Sequence, residues 1–174
     1  AVEFILVALI LAKFRKSYVA RFAAIFIFLL GFYQFTEFML CTSGFVDFWA
    51  RMGFITYTFL PALGLHLVFK LSGKMPKAAV FYIPAVIFSG LAMLSKGFVV
   101  SGVCHSVFIS VELMFLNPDA NAVLYSIYGA YYAGFIFLGC FLAGLMLRKE
   151  KDEKKRKKMK VGLIAVLLAT VPAL

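Results

Sequence analysis

The sequence predicts an all-α, polytopic transmembrane helix bundle, six helices visible of seven in all, with a small β-hairpin in the loop 95–120. Three observations carry that expectation. Hydrophobic residues make up 64% of the 174 and charged residues 15%, against about 45–50% and about 25% in a soluble domain. The apolar residues fall in runs at about 1–12, 18–41, 50–71, 78–95, 121–147 and 161–174. The basic residues collect at alternate connections between those runs. The whole chain 1–174 reads as one transmembrane domain.

Residues 1–12 form an apolar run that ends at Lys13. Twelve residues fall short of the roughly 20 that a span needs. A signal peptide would carry its basic residues first, not last. The run is therefore expected to be the tail of a spanning helix, and 161–174 the beginning of another. At 1.5 Å per residue the four runs between them reach about 27–40 Å, enough for a hydrocarbon core of about 30 Å. They are apolar on every side, unlike the alternating segments of a β-barrel. Pro61 and Pro84 lie inside the third and fourth runs and are expected to kink them. Ala130 and Gly134, like Gly139 and Ala143, are four apart and suit close helix packing, within the bundle or in a homodimer.

Charge sets the expected topology. Sixteen of the eighteen Lys and Arg lie at the first, third and fifth connections, and only Arg51 and Lys96 at the second and fourth. The positive-inside rule places the loops 13–17, 72–77 and 148–160 in the cytoplasm. The N-terminus is then outside, and a seventh span is needed to return the chain to the cytoplasm. The expected location is a cell (inner) membrane, with lipids as partners. The net charge of +10 raises the question of nucleic acid. The basic run 148–160 has no aromatic interleaving or nucleic-acid motif, so it reads as a solvated loop beside anionic lipid.

The fourth connection is long. Its β-branched residues and the pair Ser101-Gly102 suggest a hairpin over the outer mouth of the bundle. Asn117-Pro118-Asp119 ends it, with Asp119 or Asn121 as the expected cap of the next helix. Cys41 and Cys104 both fall on the oxidising side, where a disulfide between them would tie that loop to the bundle. Cys140 lies mid-span and reads as a packing residue.

Ionisable residues within spans are functional candidates. Glu37 is expected about 6 Å below the outer end of its helix and His66 about 24 Å down another. That separation excludes a shared metal. A surface group of Cys104, His105, Glu37 and Glu112 matches no ligand pattern, so neither metal nor cofactor is expected. With no nucleophile beside a base and no phosphate-cradling glycine loop, no catalytic residue is assigned. Tyr33, Gln34, Thr36 and Glu37 on the second span, Thr56, Tyr57 and Thr58 on the third, and Tyr125, Tyr128 and Tyr132 on the fifth would form a polar-aromatic zone below the outer loop. Two readings stay open: an aromatic belt with interhelical hydrogen bonds, or a ligand cavity. Glu37 must face the interior, take a proton, or pair, with Arg51 as the nearest candidate.

The order of features resembles the seven-transmembrane N-terminal sensory region of bacterial histidine kinases. The likeness lies in the basic turn Lys13-Phe14-Arg15-Lys16, the polar-acidic stretch Gln34-Phe35-Thr36-Glu37, and the run Phe59-Leu60-Pro61 through His66 to Ser72-Gly73. It extends through the proline-containing fourth helix, the outer loop with His105, and the basic loop leading to Leu168-Ala169-Thr170-Val171-Pro172. The resemblance implies a non-catalytic sensor that relays an external or membrane-borne signal, through a small ligand, to a cytoplasmic signalling domain. A small transporter or lipid-handling protein is the alternative, and a membrane-embedded metal hydrolase a third.

Overall fold

The computed structural model describes residues 2–14, 16–71, 79–104 and 109–149, together with 153 and 156. The expected span 161–174, His105, and most of the loops 72–77 and 148–160 lie outside the described residues. Within them are five helices: α1 (Val2–Lys13), α2 (Tyr18–Thr42), α3 (Val46–Leu71), α4 (Ala79–Leu94) and α5 (Pro118–Lys149). Strands β1 (Val99–Cys104) and β2 (Ile109–Leu113) pair antiparallel between α4 and α5.

Among the described residues three helices are long and apolar enough to cross a membrane: Ala20–Thr42, Val46–Lys70 and Pro118–Arg148. The fourth run falls short of the sequence expectation. Its helix has sixteen residues, about 24 Å at 1.5 Å per residue. Gly97, with φ at 71°, turns the chain just beyond it. Arg51 closes the end of α4, donating to the carbonyls of Ala92 and, at 3.0 Å, Ser95. Arg51 also pairs with Asp47 at 2.7 Å and lies 5.3 Å from the Phe98 ring centroid. It is therefore engaged with Asp47 and the end of α4.

Helix α3 is the hub. It packs on α2, α4 and α5, whereas α1 packs on α2. Of its most apolar stretch 61% is buried, against 22% for α2 and α5. Two close approaches fix α2 in place. A Cβ at Gly31 would meet Glu3 Cβ of α1 at 2.8 Å, and one at Gly53 would meet Thr36 Oγ1 at 2.8 Å. The core divides by chemistry. Toward the hairpin it is aromatic, with Phe54, Phe88, Phe98, Phe115, Tyr128, Tyr131 and Tyr132. Toward the other end Phe22 and Phe26 pack with Leu60, Leu63 and Leu67.

The small hairpin expected within 95–120 is the β1–β2 pair, in which Ser101 and Gly102 lie opposite Glu112 and Val111. Its base is pinned by side chains. Ser95 donates to the Met114 carbonyl at 3.0 Å, and Tyr125 to that of Leu113 at 2.8 Å. The start of α5 differs from expectation. Asn117 accepts from the Ala120 amide at 2.9 Å, and Pro118 fills the first helical position, where a missing N–H costs nothing. Asn121 is then free to accept from the Phe115 amide at 2.9 Å.

Candidate functional site

Below the hairpin, between α2 and α5 and over α3, lies a cavity of about 440 Å³, within the range of ligand pockets, about 300–1,000 Å³. Each wall is a helical face. Helix α2 contributes Tyr33, Thr36, Glu37 and Leu40, spaced at the three- and four-residue steps that share a face. Helix α3 contributes Ala50, Gly53, Phe54 and Tyr57 by the same rule. Helix α5 adds Tyr128, Gly129, Tyr132 and Ala133, and β2 adds Val111 and Leu113.

Six of the expected residues therefore meet in the cavity wall: Tyr33, Thr36, Glu37, Tyr57, Tyr128 and Tyr132. The other four do not line it. Gln34 is exposed, because one residue along a helix turns the side chain about 100° away from Tyr33. Thr56 is buried, and its hydroxyl donates to the Met52 carbonyl at 2.6 Å. Thr58 is buried and shares a hydrogen bond with Tyr128. Tyr125 is spent on anchoring the hairpin. Sequence reasoning read Thr36 as part of the polar-aromatic zone and passed over Gly53, Phe54 and Leu40, which also line the cavity. Their signal was available, since each stands one helical turn from a residue that was chosen.

The tyrosines divide into two groups. Tyr128 shares a hydrogen bond of 3.1 Å with Thr58 Oγ1, and Tyr131 donates to the Thr58 carbonyl at 2.7 Å. Both therefore hold α5 to α3. The Tyr132 hydroxyl is buried and has no hydrogen-bond partner among the described residues. Tyr33 neighbours Glu37, Tyr57 and Tyr132. The rings of Tyr33 and Tyr57 meet edge-on at 5.6 Å, and Tyr57 lies 6.0 Å from Tyr132. Among the described lining residues Glu37 carries the one formal charge.

The roof is covalently tied. Cys41, at the end of α2, is joined to Cys104, at the end of β1, with Cα atoms 6.1 Å apart. Cys140 is free. His66 belongs to the other end of the bundle, where Nδ1 lies 2.9 Å from the Tyr82 hydroxyl and the ring packs edge-on against Phe22. Among the described residues no three His, Cys, Asp or Glu side chains converge. No family model, curated protein or solved structure matches the chain, so the site is read from its own geometry.

Proposed function

We propose that the chain is the ligand-receiving part of a sensor or receptor in a cell (inner) membrane, non-catalytic and built of six or seven spans. The carrying observation is the cavity itself: about 440 Å³, walled by three helices, roofed by a disulfide-tied hairpin and holding one carboxylate. In a seven-span relay like the one the sequence resembles, filling such a site would shift helix packing. The charge bias of the connections supports an outside hairpin and a cytoplasmic basic loop. A disulfide at the hairpin fits the oxidising side.

The cavity touches α2, α3, α5 and the hairpin at once. A ligand that fills it bears on how α2 and α5 sit on the shared helix α3. A transporter would need a polar path from Glu37 towards His66. Beyond Thr58, which is engaged with Tyr128 and Tyr131, the buried side chains on the way to His66, Leu60, Ala62, Leu63 and Leu65, are apolar, which favours the receptor reading.

Two measurements test it. Alkaline phosphatase fused within 105–108 is expected to be active, and fused within 151–155 to be inactive. The reverse result overturns the orientation. In the full-length gene product, Glu37→Gln is expected to alter the response of the cytoplasmic module. A response equal to wild type removes this cavity as the input.

A further inference from the structure

We propose that the cavity takes an organic ammonium ion, a cationic head carrying an apolar body. This rests on the reading of the cavity as the ligand site and names the class of ligand.

Charge comes first. Glu37 lines the cavity, and no Lys, Arg or His stands among the described lining residues. Arg51, the cation expected to neutralise it, is held by Asp47 and by the carbonyls that end α4. Glu37 is half-buried beside Tyr33 with no cation next to it among the described lining residues, and a charge within a span favours a counter-ion. An anionic ligand would meet repulsion from Glu37 and no compensating cation. A divalent metal needs several oxygen ligands, and the wall offers one carboxylate.

The shape of the lining then selects among cations. Tyr33, Tyr57, Tyr128 and Tyr132 surround the space beside Glu37. Their rings are edge-to-face or tilted, with the Tyr128 and Tyr132 centroids 6.0 Å apart. Aromatic faces attract organic cations through the ring quadrupole, and they cannot replace the water of a strongly hydrated metal ion. The Tyr132 hydroxyl, about 95% buried and without a partner among the described residues, supplies an acceptor for one N–H of a primary, secondary or tertiary ammonium. Beyond the aromatic group, Leu40, Ala50, Val111 and Leu113 continue the wall with apolar surface, which suits the hydrocarbon part of the same molecule.

The test uses the purified chain in nanodiscs of zwitterionic lipid and three probes of similar shape: N,N-dimethylbenzylammonium, uncharged isobutylbenzene and anionic phenylmethanesulfonate. Calorimetric titrations are corrected with protein-free nanodiscs. The cation is expected to bind about tenfold or more tightly than isobutylbenzene, Glu37→Gln to abolish that preference, and Tyr132→Phe to weaken the cation alone. Both variants keep side-chain volume and remove no bond that holds the helices, so circular dichroism should match wild type. A cation that binds no better than isobutylbenzene, or a preference that survives Glu37→Gln, overturns the ligand class and leaves the cavity reading standing. Binding of none of the three to folded protein overturns both.

Discussion

Removing the Cys41–Cys104 bond tests how the roof is held. The cysteines are 63 residues apart in sequence. Closing a loop of that length removes about 14 cal/mol/K from the unfolded ensemble, or about 4 kcal/mol at room temperature. That is an upper figure here. The loop includes α3 and α4, which their own packing restrains, and the hairpin stays attached through Tyr125, Ser95 and Asn121. A loss of about 2–4 kcal/mol is expected for Cys104→Ser. At about 2–4 °C per kcal/mol for a chain of this size, the midpoint falls by about 5–15 °C. The assay is thermal unfolding in nanodiscs without reductant, with thiol labelling of denatured protein alongside. Wild type should take one label per chain, at Cys140, and three after reduction. Three labels without reduction, or an unchanged midpoint for Cys104→Ser, would refute the tie.

Other consequences follow from the helix contacts. Gly53→Ala puts a methyl 2.8 Å from the buried Thr36 Oγ1, which already donates to the Tyr33 carbonyl at 2.6 Å; a loss of about 1–3 kcal/mol is expected, read by thermal unfolding. Thr58→Val removes the partner of Tyr128 but leaves the carbonyl that Tyr131 uses. A double-mutant cycle with Tyr128→Phe should then give a coupling of about 0.5–1.5 kcal/mol, whereas one with Tyr131→Phe should give almost none. Arg51→Met strips the end of α4 of its donors and should cost about 1–3 kcal/mol. Asp47→Asn should cost less than about 1 kcal/mol, because the Asp47 side chain is 56% exposed; equal losses would show that the ion pair, not the cap, is what Arg51 supplies.

The long apolar helices were legible because lipid and protein core ask the same thing of them: continuous apolar residues and satisfied backbone. Helix ends were harder. Val46–Phe48 read as connection by composition, but they begin α3, so that Asp47 falls four residues before Arg51 and their side chains meet. Asn117, Asp119 and Asn121 are all residues able to cap a helix. The choice among them depended on Asn121 being taken by the Phe115 amide, a contact across a loop that no local pattern encodes.

The cavity was half legible for a related reason. A polar residue within an apolar span draws the eye, so Tyr33, Glu37, Tyr57 and the α5 tyrosines stood out. The residues that make room for them are small or apolar and look like any other part of a span. Gly53 carries no chemistry of its own. Yet it lets α3 approach Thr36, and it stands four residues before Tyr57 on the cavity face. Thr56 illustrates the opposite error. It stands beside Tyr57 but does not line the cavity, and its hydroxyl, like that of Thr36, returns to its own helix. Depth along a span places a polar side chain at the right level of the bundle. Helical phase narrows the choice among residues that share that level. Applied to α2 from Glu37, the four-residue step back reaches Tyr33 and the three-residue step forward reaches Leu40, which is where the wall of the cavity lies, whereas the three-residue step back reaches Gln34, which is exposed.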